Sequence, residues 1–206
     1  EVCQLMMDAG IDKFKCATIA EAEMLGMIRA KDVLLAFPVV GPRISRFLHL
    51  IKKYPDTHYS CLIDAVEGAQ AISGVFEKEH RIADAFIDLN VGMNRTGIST
   101  PQALGLYESV RNLKGIRITG LHAYDGHIHD RDFEVRKEKC LAASHDVPAL
   151  KKAIEFLTGY PITLVAGGSP SYLIHAQQGD RECSPGTFIF WDKGYRDGLP
   201  DQPFEY

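Results

Sequence analysis

The sequence has no long apolar run and no block of like charges. No apolar stretch approaches the roughly 18 residues that a membrane-spanning helix needs, and no signal-peptide pattern opens the chain. Basic and acidic residues are intermixed, with a formal net charge of −4, so there is no electrostatic pattern typical of binding to nucleic acid or anionic membranes. We therefore expect a cytoplasmic protein that binds neither.

Cysteine is scarce: five cysteines occur among 206 residues. They are Cys3, Cys16, Cys61, Cys140 and Cys183. An odd number of cysteines, scattered and mostly within apolar segments, is unlike a disulfide framework or a zinc-binding set. Because 46% of the residues are hydrophobic, the chain can bury one substantial core. We expect a single domain with reduced cysteines.

Short apolar runs alternate with stretches of helical periodicity. The predicted strands are 13–17, 33–37, 59–64, 85–89, 116–123, 162–166 and 187–191. Helices are predicted at 1–9 (C-capped by Gly10), 42–54, 66–76, after Thr100, and within 132–157, as one helix or two divided near Pro148. Thr18 and Glu21 have the spacing of a capping box, which predicts a further helix beginning there.

This alternation predicts an α/β fold with a parallel sheet and right-handed crossovers. Seven units that begin with a helix suggest a (β/α)8 TIM-type barrel that lacks its first strand. An open, doubly wound sheet is the alternative, but it should begin with a strand and a glycine-rich nucleotide loop. We expect the barrel domain at 1–196 and an irregular, proline-rich connection at 197–206.

In a barrel the residues that follow the strands share one rim, where ligands bind. The first rim segment, 90–97, places Arg95 and two asparagines between glycines. That composition suits an anion or cofactor site. It is equally typical of a βα loop whose glycines permit positive φ and whose arginine is solvated.

Two more rim segments carry candidate groups. Segment 122–130 is rich in histidine and aspartate, so His127, His129 and Asp130 are candidates for a metal site, while Tyr124 alone is more often a packed amphipathic residue. Residues 167–171 and 185–187 are small-residue turns whose free backbone N–H groups suit a phosphate. Such turns are also common without any ligand.

Taken together, these segments resemble a known family. The matching segments are 15–18 (KCAT), 21–23 (EAE), 88–97 (DLNVGMNRTG), 120–127 (GLHAYDGH), 167–170 (GGSP) and 184–187 (SPGT), with Asp192. In order and content they are similar to the D-threonine aldolase and D-serine dehydratase branch of the alanine-racemase-like enzymes, which use pyridoxal 5′-phosphate. The resemblance covers nearly the whole chain.

The resemblance implies roles for several residues. Arg95 would lie near the phenolic oxygen of the cofactor, Tyr124 beside the ring or the substrate, and His127 close to the ring. The implied catalytic residues are Tyr124 and His127. The phosphate would be held by backbone and hydroxyl groups of Gly167, Gly168, Ser169, Gly186 and Thr187.

The sequence departs from the family pattern in three places. Ser184 stands where alanine racemases have an arginine that faces the pyridine nitrogen, which argues against simple racemisation. No residue matches the family's Schiff-base lysine, since Lys13 and Lys15 belong to the following strand. The family's metal ligands lie in a C-terminal β-domain, so no metal ligand is assigned here. We expect this chain to be the middle of an enzyme and inactive alone.

The resemblance implies a lyase for β-hydroxy D-amino acids that uses pyridoxal phosphate and a divalent metal, most simply a D-threonine aldolase. A D-serine dehydratase or a racemase of the same fold is the nearest alternative. A metal-dependent hydrolase built on His127 and His129, or a non-catalytic cofactor-binding protein, is the alternative from another class. Family resemblance also implies a homodimer.

Overall fold

The computed structural model of the chain describes residues 1–204, and its contacts divide the chain into two compact units. One unit contains residues 1–87 and 106–119, and the other contains residues 88–105 and those from 120 onward. The strands Ala83–Asn90 (β4) and Ile116–Ala123 (β6) each contribute residues to both units.

Helices and strands alternate through the first part of the chain. The elements before β4 are α1 (Val2–Asp8), β1 (Lys13–Cys16), α2 (Ile19–Met27), β2 (Asp32–Pro38), α3 (Pro42–Lys53), β3 (His58–Ile63) and α4 (Val66–Lys78). Strands β1 to β4 pair in chain order, all parallel. Five consecutive residues of β3 are buried, as expected for a parallel strand covered on both faces. Phe47 of α3 and Phe76 of α4, both fully buried, pack with ring centroids 6.1 Å apart.

The second part of the chain continues the alternation with shorter elements. They are β5 (Ile98–Ser99), α5 (Thr100–Val110), β6, α6 (Phe133–Ala143), α7 (Val147–Thr158), β7 (Thr163–Ala166), α8 (Tyr172–Ala176), β8 (Glu182–Cys183), a 3-10 helix (Thr187–Phe190) and α9 (Lys193–Gly198). The strand order is β1-β2-β3-β4-β6-β7-β8, with β5 beside β4. The predicted α/β class with a parallel sheet is confirmed.

Six of the seven predicted strands are present at their predicted places. The capping box is present as well: Thr18 Oγ1 accepts from the N–H of Glu21 at 3.2 Å, and Glu21 Oε2 accepts from the N–H of Thr18 at 2.9 Å. The segment 132–157 forms two helices. The C-cap of α1 is Ala9, and Gly10 follows it with φ of 92°.

The strand predicted at 187–191 is wrong, because Thr187–Phe190 is a 3-10 helix and the last strand is Glu182–Cys183. A four-residue apolar run cannot be assigned to strand or helix by its pattern. Here the N–H of Thr187 donates to the side chain of Ser169, so it does not extend a β-ladder. Helix α9 crosses residue 196, where the sequence places the end of the barrel domain. That domain boundary and the irregular tail stay predictions. The last two residues of the tail lie outside the described range.

All five cysteines are free thiols, and Cys16, Cys61 and Cys140 are buried. No helix between residues 1 and 204 has the length and apolar character needed to cross a membrane.

Candidate functional site

The loop after β4 is held in shape by one asparagine. Asn90 Oδ1 accepts hydrogen bonds from the N–H groups of Gly92 and Asn94, each at 3.1 Å, and its Nδ2 donates to Asn94 Oδ1 at 3.0 Å. Asn94 adopts a positive φ of 54°, which short polar side chains tolerate better than most. The turn is therefore ordered by its own side chains immediately before Arg95.

Gly97 closes this loop against the strand that precedes it. Its φ is 99°, and a Cβ atom added there would lie 2.7 Å from the backbone nitrogen of Asn90. Only glycine fits such an approach of backbone to backbone. The glycines and asparagines of segment 90–97 thus have a structural explanation: they fix the backbone of the loop that carries Arg95.

Arg95 lies over the ring of Tyr124, with its Cζ atom 5.2 Å from the ring centroid. The Arg95 side chain is exposed, and no carboxylate within the described part of the chain forms an ion pair with it. Burial raises the pKa of Tyr124 above its ordinary value, and the charge of Arg95 opposes that rise. A protonated phenol thus lies beside a guanidinium that is available to an anionic ligand.

The ring of Tyr124 lies against backbone on two sides. A Cβ atom at Gly168 would be 2.9 Å from Tyr124 Cε2, and one at Gly126 would be 2.3 Å from its hydroxyl oxygen. His127 is exposed and lies against Gly92, where an added Cβ would be 2.6 Å from His127 Nε2. Arg95 and Gly168 therefore both lie against Tyr124, and His127 lies against the loop that carries Arg95. The roles that the resemblance implies for these residues stay predictions.

A buried pair that the sequence analysis did not assign to the site supports Tyr124. His122 Nδ1 and Asp88 Oδ1 are 2.7 Å apart, and Thr96 Oγ1 donates to Asp88 Oδ2 at 2.7 Å. The rings of His122 and Tyr124 are stacked, with centroids 6.5 Å apart and planes 7° from parallel. The sequence signal for this pair is the carboxylate of Asp88 inside the apolar run of β4. A carboxylate in such a place needs a buried partner.

The glycine turn after β7 is bonded more tightly than its sequence suggests. The N–H of Gly167 donates to Ala123 O at 3.1 Å, that of Gly168 to Ser171 Oγ at 3.2 Å, and that of Thr187 to Ser169 Oγ at 2.9 Å. The expectation that all of these N–H groups are free for a phosphate is thus wrong for these three. They shape the turns instead.

The backbone donors that remain are those of Ser169 and Gly186. No acceptor for either N–H is found among residues 1–204, although Ser169 is buried. Among buried residues an N–H without a protein acceptor is uncommon, so that of Ser169 calls for a ligand or water, whereas Gly186 is exposed. These two donors, with the nearby hydroxyls of Ser169 and Thr187, are the groups that suit a phosphate monoester.

The histidine cluster proposed for metal binding does not form. Asp130 pairs with Lys139 at 2.5 Å, and His127, His129 and Asp130 do not make up a group with metal-ligand spacing in the described range. The cluster with such spacing there contains Asp125, Cys140 and His175. It is buried and internally hydrogen-bonded.

The arrangement therefore offers an aromatic face, an exposed guanidinium, and backbone and hydroxyl donors on two small-residue turns. Such a set fits a planar ring that carries a phenolic oxygen and a phosphate ester, which is the chemistry of pyridoxal 5′-phosphate. Residues 1–193 match the family described as alanine racemase, N-terminal domain. The chain belongs to this family.

Within the alanine racemase N-terminal domain family, several relatives are known by name. The chain is 27% identical over 184 residues to 3-hydroxy-D-aspartate aldolase of Paracoccus denitrificans, covering 87% of this chain. It is 24% identical to D-threonine aldolase of an Arthrobacter species, over 100% of the chain. It is also 24% identical to D-threo-3-hydroxyaspartate dehydratase of a Delftia species, over 89%. The chain spans about half of each relative's length, at 47%, 55% and 49%.

The crystal structure of D-threonine aldolase from Filomicrobium marinum superposes on the chain with a TM-score of 0.87 and 23% sequence identity. The match covers 98% of this chain and 56% of that one. At this identity the likeness establishes the fold, which is alanine-racemase-like and consistent with the partial barrel that the sequence predicted.

Proposed function

We propose that this chain is the cofactor-binding part of a pyridoxal-phosphate-dependent lyase for β-hydroxy D-amino acids, and that its reaction is D-threonine aldolase-like. The observation that carries the proposal is the contact of Arg95 and Gly168 with the one ring of Tyr124. The three relatives add support, because each is named for a 3-hydroxy D-amino acid.

We assign the cofactor contacts from the donor geometry. The N–H groups of Ser169 and Gly186 and the hydroxyls of Ser169 and Thr187 bind the phosphate. Gly167 and Gly168 shape that turn, because their own N–H groups are bonded within the protein. Arg95 donates to the phenolic oxygen of the ring, where a guanidinium is a strong, permanently charged donor.

Bound pyridoxal phosphate supplies an electron sink for the substrate Cα. In the aldolase reaction the Cα–Cβ bond breaks, the β-hydroxyl loses its proton, and Cα gains one, giving glycine and an aldehyde. We assign the removal of the hydroxyl proton to His127, which is exposed and lies against Gly92. Tyr124 keeps its own proton because burial raises its pKa, so it acts as a hydrogen-bond donor.

Ser184 makes racemisation the weaker assignment. Its hydroxyl donates to Gly167 O at 2.9 Å, so that proton is already committed to the turn. A serine in place of arginine would leave the pyridine nitrogen of a bound cofactor without a cationic partner from this position, which would weaken the electron sink that simple racemisation needs. Efficient racemisation of D-alanine by the full-length protein would contradict this assignment.

Substrate assays on the full-length protein test the proposal. The protein is loaded with pyridoxal phosphate and a divalent cation, then given D-threonine or L-threonine. We expect glycine and acetaldehyde from the D isomer only. His127→Gln should lower kcat by about 100-fold or more, as expected for loss of a proton-transfer group. His129→Gln, two residues further on and also exposed, is the matched control and should keep its rate.

Dehydration is the second candidate, favoured by the dehydratase among the relatives. There the Cβ–O bond breaks instead of Cα–Cβ, water leaves, and hydrolysis of the product gives a 2-oxo acid and ammonium. D-serine and D-3-hydroxyaspartate separate the two routes. Release of ammonium with the 2-oxo acid and without glycine would favour the dehydratase, whereas failure to bind pyridoxal phosphate would contradict both routes.

A further inference from the structure

A buried polar cluster surrounds Asp125, the residue that follows Tyr124. We define the Asp125 cluster as Asp125, Cys140, Ser171, His175 and Arg181. Asp125 Oδ1 accepts from Ser171 Oγ at 2.6 Å, and Asp125 Oδ2 lies 2.7 Å from His175 Nε2. The side chains of Asp125 and His175 are 2% and 3% exposed. Such a buried carboxylate is retained only with partners that satisfy it.

The contact with Arg181 assigns a hydrogen-bonding role to each ring nitrogen of His175. Arg181 Nη1 lies 3.2 Å from His175 Nδ1, and an arginine can only donate. His175 Nδ1 therefore accepts, which leaves the proton on Nε2 to be donated to Asp125. Burial acts to raise the pKa of Asp125, but the bonds from His175 and Ser171 outweigh it and hold the pKa below its ordinary value.

The same cluster has the spacing of a metal site, since atoms of Asp125, Cys140 and His175 lie within 4.8 Å of one another. Its chemistry favours hydrogen bonding instead. Both Asp125 oxygens already accept from donors, burial raises the pKa of the Cys140 thiol to about 12, and the guanidinium of Arg181 adjoins His175. To bind a metal ion here, the Cys140 thiol would have to ionise to a thiolate, and the ion would lie near the positive charge of Arg181.

The cluster contacts both parts of the candidate site. Ser171 Oγ donates to Asp125 while it accepts from the N–H of Gly168 at 3.2 Å. The ring of His175 packs on Gly167, where an added Cβ would lie 2.7 Å from His175 Cδ2. Asp125 thus joins the segment that carries Tyr124 to the turn that Gly167 and Gly168 form.

We propose that Asp125 is a positioning residue that, through Ser171 and His175, fixes the Gly167–Gly168 turn against Tyr124 so that Ser169, the next residue, can bind the phosphate of the cofactor. The inference rests on the proposed function for its ligand. The geometric part, the connection between the turn and Tyr124, does not depend on that ligand. Neither Asp125 nor His175 needs to touch the cofactor.

Two single-atom deletions test this role in the full-length protein. Ser171→Ala removes the oxygen that links Asp125 to Gly168. Cys140→Ala removes a sulfur that also bonds to Asp125 but belongs to α6 and not to the turn. If the cluster were only structural, both variants would be less stable than the wild type, but their affinities for the ligand would not differ from each other.

We expect Ser171→Ala to raise the dissociation constant for pyridoxal phosphate by about tenfold, as for one hydrogen bond lost, and to weaken competition by inorganic phosphate. Pyridoxal, which lacks the phosphate, should bind Ser171→Ala and the wild type alike, and Cys140→Ala should behave as the wild type toward both ligands. The proposal would be overturned if both variants weakened the binding of pyridoxal phosphate equally. It would also be overturned if Ser171→Ala lost as much affinity for pyridoxal as for pyridoxal phosphate. If Ser171→Ala does not fold, Ser171→Cys, with its weaker donor, takes its place.

A second readout needs no cofactor. The 13Cζ resonance of Tyr124 in the cofactor-free protein should shift in Ser171→Ala and stay unchanged in Cys140→Ala, because Gly168 touches the ring. An unchanged resonance in both variants would refute the positioning role. A shift in Ser171→Ala in a protein that binds no pyridoxal phosphate would keep the structural connection and refute the proposed function instead.

Discussion

The guanidinium of Arg95 lies 5.2 Å from the centroid of the Tyr124 ring, although Tyr124 lies 29 positions further along the chain. The arginine approaches from a loop shaped by Asn90 and Asn94, and the tyrosine is held by Gly126 and Gly168. The relationship therefore depends on two independently ordered loops. Each of them can be perturbed separately.

The first prediction concerns the ionisation of Tyr124. Because the charge of Arg95 lowers the pKa of that phenol while burial raises it, Arg95→Met should raise the pKa of Tyr124 further. Titration followed by the 13Cζ resonance measures it, with Tyr124→Phe to assign the signal. Arg111→Met is the control, since Arg111 lies in the same way over Tyr107, at 5.8 Å. A fall in the pKa of Tyr124, or a rise in both variants, would contradict the assignment.

The second prediction concerns the glycine beneath the ring. Gly168→Ala places a Cβ 2.9 Å from Tyr124 Cε2, so we expect a loss of about 1 to 3 kcal/mol in the free energy of unfolding from overpacking. Gly105→Ala is the matched control, because nothing lies within 4 Å of its added Cβ and alanine favours a helix by about 0.5 to 1 kcal/mol. Urea denaturation measures both, and a stable Gly168→Ala protein would argue against the close contact.

The third prediction separates backbone strain from side-chain bonding in the Arg95 loop. Asn94→Ala and Asn94→Gly both remove the side-chain bond from Asn90 Nδ2 to Asn94 Oδ1 and leave the bond from the backbone N–H of Asn94, but only glycine adopts the φ of 54° without cost. The alanine variant should therefore be about 1 kcal/mol less stable than the glycine variant. Paired urea melts give this difference, and equal stabilities would mean that the loop changes its backbone conformation.

The fourth prediction is a pH dependence in the first unit. Hydrogen bonds to Asp32 and then Asp84 raise the pKa of His58 from its ordinary 6.5 to about 10. A raised pKa means that this stabilisation is fully present below pH 6.5 and is lost as the pH rises through about 10. His58 is 48% exposed, so solvent screening limits the effect to about 1 kcal/mol or less.

His58→Gln should therefore be less stable than the wild type at pH 6, and the gap should close towards pH 10. Urea midpoints across this range measure it. His145→Gln is the control because His145 forms a comparable contact with Asp146, at 2.7 Å, on an open surface where it is 83% exposed. A gap that widens as the pH rises would have the wrong sign for this account.

Local sequence patterns predicted much of this structure, for reasons that particular residues illustrate. The Thr18 and Glu21 capping box and the buried run of β4 are governed by neighbours in the chain, so their patterns suffice. The two-residue strands Ile98–Ser99 and Glu182–Cys183 have too little pattern to detect.

The Asp125 cluster was beyond such patterns. His175 lies 50 positions from Asp125 in the chain, and Ser171 lies 46 positions away. Long-range packing decides which buried donor meets which carboxylate, and no local spacing encodes it. The same applies to Thr187, whose N–H bonds to Ser169 in another loop, so that an apolar run that resembles a strand forms a 3-10 helix.

The central claim is that the turns at Ser169 and Gly186 hold the phosphate of pyridoxal phosphate while Arg95 and Tyr124 face its ring. A crystal structure of the full-length protein with pyridoxal phosphate tests it most directly. The account predicts phosphate oxygens within hydrogen-bond distance of the N–H groups of Ser169 and Gly186, and the phenolic oxygen of the ring beside Arg95. A cofactor bound with its phosphate away from both turns would contradict it.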